Sequence, residues 1–285
     1  MSNNIFLSTT CFKNDSLEEI IKISRENGIY NLEVSGGLKY LDQKKLQKIF
    51  EKNTDINFRF HNYFPIPKNP FVINLASERT ADMSIKNILK GMKFSYKYGS
   101  NIFSIHAGLR FNPSNKDLGN LQRKYKTQNY EESYKILEKK ISFIYKKNLD
   151  KTIICLENNV VEKRNTFRNE NRYIFSDLSD MKIIKQLITK YNIKVLLDVG
   201  HLKVSSRTLN FDKYKFIDEY NEDILIVHLS DNNGIKDLGS KLNRKSWFWK
   251  HLNWKKIKYI SLEIKNADIN NLKKQIELTS RLINL

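Results

Sequence analysis

The sequence predicts an α/β fold: an eight-stranded parallel (β/α)8 TIM barrel, in a single domain spanning residues 1–285. Three observations point there. Short apolar, β-branched runs alternate with longer segments of helical period, and this rhythm repeats eight times. The apolar runs are near-continuous, as expected of strands covered on both faces in a parallel sheet. No linker, low-complexity stretch or composition break interrupts the rhythm, and barrels of this kind commonly use about 250 residues as one domain. An open doubly wound sheet is the alternative, but a helix after nearly every strand favours closure.

The elements follow in order. Ile5–Thr9 reads as a strand and Ser16–Asn27 as a helix, with Ser16 and Glu19 spaced as a capping box. Tyr30–Val34 is a strand ending near the turn signal Gly36-Gly37, and Asp42–Asn53 is helical. Asn57–His61 is a strand, and Thr80–Tyr98 a helix closed by Gly99. Ile102–His106 is a strand followed by a long loop. Tyr130–Asn148 is a helix, with Ile136, Leu137, Ile141 and Ile144 at helical spacing. Thr152–Glu157 and Lys194–Asp198 are strands separated by a helix over Ser179–Tyr191. Asp212–Tyr220 is a weaker helix. Ile224–His228 and Tyr259–Glu263 are the last strands, and Asn271–Leu285 the closing helix. Leu238–Lys258 has no clear period.

Composition narrows the function classes. The chain carries a formal net charge of +19, which invites a nucleic-acid reading. However, 39 of its 50 basic residues are Lys and only 11 are Arg, and they are spread along most of the chain. That pattern fits a solvated basic surface better than a dedicated patch. No apolar stretch approaches the roughly 18 residues of a membrane span, and Met1–Asn4 is too polar to begin a secretion signal. Cys11 and Cys155 lie far apart in no metal or redox spacing. They read as reduced thiols of a cytoplasmic protein.

The chemistry is written at the strand ends. FRFH ends on His61, IFSIH on His106, TIICLE on Glu157, VLLD on Asp198, ILIVH on His228 and YISLE on Glu263, and His201 follows three residues after Asp198. A barrel points all its C-terminal strand ends at one rim, so these groups converge there. One such residue means little, since a lone histidine or carboxylate at a strand end is usually a packing or capping group. Ending six strands this way would bury costly unpaired polar groups unless a cation offsets them. Glu157, Asp198, His228 and Glu263 are therefore the expected ligands of a divalent metal. Three carboxylates and one imidazole suit Mn, Mg, Co or Zn. His61, His106 and His201 stand at the same rim. Glu157 and Glu263, set on opposite sides of the rim, are the expected catalytic pair.

The chain resembles the xylose-isomerase-like barrel superfamily, which holds sugar-phosphate isomerases and epimerases together with the endonuclease IV type of abasic-site nuclease. The matching motifs are LEN at Leu156–Asn158, LDVGH at Leu197–His201, VHLSDNNG at Val227–Gly234 and LEI at Leu262–Ile264. The run from Val72 to Ser77, with Arg79, Ser84 and His106-Ala107-Gly108, matches as well. The resemblance implies one metal held by Glu157, Asp198, His228 and Glu263, with the two glutamates moving protons at a sugar substrate, neutral or anionic. For His61, His106 and His201 it implies a second metal or the substrate. In the nuclease branch it implies a trinuclear zinc cluster. There the positions of His61, His106 and Glu157 hold one zinc, and that of His201 joins an Asp-x-His after strand seven at another. This chain has Asp237-Leu238-Gly239 at that point, with glycine in place of the histidine. Cleavage of abasic DNA is thus the alternative to isomerisation.

The rim loops are basic. Gly108–Asn129 carries Arg110, and Asn158–Ser176 carries Arg164, Arg168 and Arg172 at spacing four, which would align them if that loop were helical. Arg110, Arg164, Arg168, Lys203 and Asp231 are the expected anion- or substrate-binding residues. Trp247, Phe248, Trp249 and Trp254 read as core or barrel closure rather than as a stacking platform.

Overall fold

Eight parallel strands close on themselves in chain order. The computed structural model describes residues 4–117, 124–166 and 170–283. The strands are β1 (Ile5–Ser8), β2 (Asn31–Val34), β3 (Asn57–His61), β4 (Gly99–His106), β5 (Ile153–Glu157), β6 (Lys194–Asp198), β7 (Ile224–Leu229) and β8 (Tyr259–Leu262). Pairing of Ile5 with Ile260 and of Leu7 with Leu262 joins β1 to β8 and seals the barrel. The open-sheet alternative is thereby excluded.

Helices cover the outside: α1 (Leu17–Glu26), α2 (Gln43–Lys52), α3 (Glu78–Tyr98), α4 (Tyr130–Lys147), α5 (Met181–Tyr191), α6 (Val199–Leu209), α7 (Lys213–Tyr220) and α8 (Ile269–Ile283). Capping follows the sequence signals. The Ser16 side chain accepts from the Glu19 amide, and that of Asp42 from the Lys45 amide. Between the strands and this layer lies a continuous apolar core. In it Phe50 packs edge-to-face on Phe58 and Phe60 with ring centroids 4.8 and 5.1 Å away. Gly91 lets α3 approach that core. A Cβ there would lie 2.4 Å from the Phe103 ring and 2.5 Å from the Phe64 carbonyl. None of the described helices is long and apolar enough to cross a membrane.

Helix α6 begins directly after β6, in a stretch the sequence left unassigned. Asp198 caps it, its Oδ1 accepting from the His201 amide at 2.7 Å. Between β7 and β8, where the sequence showed no clear period, the described chain forms turns and one bridge, Asp231 to Ser240. The aromatic residues of that stretch are structural. Phe248 is fully buried, and the Trp249 and Trp254 indoles donate to the Asn243 and Trp249 carbonyls. Finally, among its described residues the loop after β5 forms a short 3-10 turn, Lys163–Asn165, which holds Arg164 but not Arg172.

Candidate metal centre

The parallel register brings the strand-end residues together. His106 pairs with Glu157 across β4 and β5, and Asp198 with His228 across β6 and β7. Asn158 fastens the ends of β5 and β6, its side chain accepting from the Asp198 amide at 2.8 Å and donating to the Asp198 carbonyl at 3.1 Å. The glycine of the Asp198–His201 turn is needed for contact: a Cβ on Gly200 would sit 2.7 Å from Ser230 Oγ. That close approach sets the first turn of α6 against the end of β7, and with it His201.

Glu157 lies at the middle. It is 1% exposed, and His61 Nε2 and His106 Nδ1 contact its Oε2 at 2.7 and 3.3 Å. On its other oxygen, His201 Nδ1 lies at 3.5 Å and His228 Nδ1 at 3.7 Å. Burial alone would raise this carboxyl, but the His106 and His61 imidazoles hold it well below the usual range.

His228 Nδ1 is the most telling atom. It is fully buried and has no hydrogen-bond partner. Around it stand Glu157 Oε1 at 3.7 Å, Glu263 Oε2 at 3.7 Å and Asp198 Oδ2 at 4.0 Å. Ligand atoms each about 2.1 Å from one ion sit roughly 3–4 Å apart, and the three distances from His228 Nδ1 lie in that range. Burial disfavours charge on His228, but Glu33 and Glu263 overcome it and push the imidazole up to about 10.

Among the described residues three groups of side chains could each hold a metal ion: Glu33, His228 and Glu263; His61, His106 and Glu157; and Glu157, Asp198 and His201. His106 Nδ1 is again buried without a hydrogen-bond partner. With its side chain 29% exposed, His106 is the most open of the four imidazoles. Desolvation, reinforced by the neighbouring histidines, pushes it down to about 4 despite Glu157. His201 Nδ1 donates to the Asn158 carbonyl at 2.9 Å, while Nε2 faces Asp198 Oδ2 at 3.7 Å and Asp237 Oδ2 at 3.8 Å. Burial opposes its charge, but Asp198 and Asp237 raise it to about 9. Asp198 itself is raised to about 7, by burial first and then by Asp237 and Glu157, against His201.

Two residues of the centre were missed by sequence reasoning. Glu33 of β2 is fully buried inside the barrel, its Oε1 lying 2.8 Å from His228 Nε2. That is a close charge contact whose angle falls outside hydrogen-bond geometry. Its Oε2 accepts from Ser261 Oγ at 2.8 Å and meets Arg59 at 3.3 Å. Arg59 of β3, also fully buried, lies over the rings of Tyr259 and Phe6 at 4.9 and 5.5 Å. Glu33 pairs with Arg59 in register. The signal was present: each is a charged residue flanked by apolar ones in a strand expected to be covered on both faces.

The structure does not bring the proposed anion-binding residues to the centre. Arg110 is held by Glu170 at 2.8 Å and lines a separate groove with Arg79 and Lys126. Arg164 pairs with Glu162 at 2.6 Å, and Lys203 with Asp231 at 2.6 Å. Arg172 is buried over the Phe111 ring. Arg168 lies outside the described residues.

No protein-family model matches the chain, and no curated protein matches it. Solved structures do. One is a Thermus thermophilus protein soaked with ZnCl2, at 16% identity over 98% of each chain with TM-score 0.64. Another is the D-psicose 3-epimerase of Clostridium cellulolyticum with D-tagatose, at 11% identity over 98% of this chain and 99% of that one, with TM-score 0.64. Endonuclease IV from Thermus thermophilus matches at 11% identity over 99% of each chain, with TM-score 0.59. A xylose isomerase domain protein from Alicyclobacillus acidocaldarius is of the same kind. The chain shares with these structures the fold of a closed eight-stranded parallel barrel. At these identities the likeness reaches the fold and stops short of the reaction, which must be argued from the centre itself.

Proposed function

We propose that the chain is a divalent-metal-dependent isomerase or epimerase acting on a sugar. The observation that carries this reading is the buried, unpartnered His228 Nδ1 ringed by three carboxylates. Glu157, Asp198, His228 and Glu263 would hold the ion, and Mn, Mg, Co or Zn would suit them. When bound, the ion would supply a Lewis acid that stabilises charge developing on a substrate oxygen and so acidifies the neighbouring C–H.

The two glutamates then divide the proton work by environment. Glu263 is 21% exposed, with Ser8 Oγ donating to its Oε1 at 3.2 Å, so the side chain is both reachable and steered. It takes the role of base. Glu157 is closed in by imidazoles, so return of the proton falls to it with His106, which contacts Oε2 and opens onto the adjoining cavity. Asn158 and Ser8 act on orientation only.

Glu263→Gln tests the assignment. The variant keeps size and some ligand ability but loses the base. It should retain part of its metal while losing exchange of the substrate C–H proton with deuterated solvent. Exchange at the parent rate would reduce Glu263 to a ligand.

A second reading, a phosphodiesterase acting on abasic DNA, is favoured by the unpartnered His106 Nδ1 beside Glu157, which suits a second ion. Against it stand Gly239, where a third centre would need histidine, and the cavity at His106, which no Lys or Arg lines among the described residues. Metal stoichiometry with a duplex-nicking assay separates the two. One ion without nicking supports the isomerase, and three zincs with nicking the nuclease.

A further inference from the structure

We infer that the cavity beside the metal centre selects a neutral sugar carrying an apolar substituent, such as a deoxy, O-acyl or N-acyl sugar, and excludes phosphorylated sugars. The inference rests on the isomerase reading for the chemistry at the centre and on the cavity alone for the substrate.

The cavity measures about 510 Å3 and opens beyond the ends of β3, β4 and β5. His106 and His201 line it, so a ligand seated there reaches the residues of the centre. That volume falls within the roughly 300–1,000 Å3 of small-molecule sites. Tyr63, Phe71, Val72, Ile73, Leu109 and Val160 form much of its wall. A ligand showing only hydroxyls to such a surface would lose water without gaining partners. An apolar substituent gains there what the hydroxyls would lose.

The polar groups of the wall also have a sense. Asn165 is 5% exposed, and its Oδ1 is buried without a hydrogen-bond partner; Asn62 Oδ1 is likewise buried and unpartnered. An amide oxygen accepts and cannot donate, so once either side chain turns toward the cavity its oxygen is matched by an O–H or N–H of the ligand. An ionised phosphate or carboxylate brings further acceptors instead. Among the described residues no Lys or Arg lines the cavity, and the one raised imidazole in its wall, His201, already faces Asp198 and Asp237, so an anion in the apolar part would be desolvated without a counter-ion of its own. An N-acyl group meets both demands, giving an N–H to an Asn oxygen and a methyl to the apolar wall.

The test uses the full-length, metal-loaded protein and a panel of keto- and aldohexoses. Each is compared with its 6-deoxy and 2-N-acetyl counterparts and its 6-phosphate. Calorimetry reads binding, and proton exchange with deuterated solvent reads chemistry. At least one deoxy or N-acetyl sugar should bind with a Kd about tenfold below that of its parent hexose, and the 6-phosphates should not bind. Phe71→Ala, at a partly exposed wall position, should erase that preference with an unchanged thermal unfolding curve. Val72→Thr, nearly the same shape, serves should Phe71→Ala lose its fold. The inference is overturned if the 6-phosphates bind best, if parent hexoses bind as well as substituted ones, if no substituted sugar binds, or if both folded variants keep the preference. Substituted sugars that bind without proton exchange would leave the cavity assignment standing and remove the isomerase. Exchange on the 6-phosphates would do the reverse.

Discussion

Replacing Glu33 by glutamine separates two roles of one buried carboxylate. Glu33 touches the outer nitrogen of His228 at 2.8 Å and the guanidinium of Arg59 at 3.3 Å, with all three side chains fully buried. Glutamine preserves the shape and can still accept from Ser261, but it removes the negative charge that pairs with Arg59. Breaking a buried pair by neutralising one partner costs about 3–5 kcal/mol. At roughly 2–4 °C per kcal/mol for a chain of this size, the unfolding temperature of the metal-free protein should fall by roughly 6–20 °C. The second effect is on the metal. A group that orients a metal-binding imidazole is typically worth about 10–100-fold in affinity. Chelator competition on Glu33→Gln should show a loss in that range. Adding Arg59→Met removes the stranded cation and should restore most of the stability while leaving the affinity low. If Glu33→Gln holds metal within about threefold of the parent, Glu33 does not orient His228 and the argument fails.

Two further outcomes follow from the same geometry. Glu157→Ala and Asp198→Ala each remove a charged candidate ligand and should each lower metal content and abolish activity; full metal content in both, by elemental analysis, would sink the site assignment. The metal-free protein should also depend on alkali. His201 and His228 are raised to about 9 and about 10 in the fold, above the roughly 6.5 of a free imidazole. Stability from the raised values is fully present below the free-imidazole value and is lost as pH climbs through 9 and 10. Urea midpoints of the metal-free protein should therefore drop between pH 7.5 and pH 10. Loading with Zn in weak buffer near neutrality should release protons, because liganding imidazoles must be neutral. A flat midpoint and no proton release would contradict the charge assignment.

Strand order, barrel closure and the convergence of His61, His106, Glu157, Asp198, His228 and Glu263 were legible because a parallel barrel aims every strand terminus at one rim. A residue's place at the end of an apolar run then fixes its place in space. Helix α6 was not legible, because Asp198 serves at once as strand end, helix cap and candidate ligand, and its role as a cap was not read. The partners of the basic loops were not legible for another reason. Arg110, Arg164 and Lys203 are each paired with a carboxylate that a linear pattern does not rank as its partner.

By itself, the sequence determined the alternation of elements, the barrel and the set of side chains at its rim, since these depend on local period and chain direction. Only the tertiary structure decided that Glu33 backs His228, that Arg59 is buried beneath it, and that Asn62 and Asn165 share an apolar cavity with His106. Each of those facts is a contact between strands or loops distant in the chain. It is set by register and close packing, down to the missing Cβ of Gly200, and such contacts leave no periodic trace along the chain.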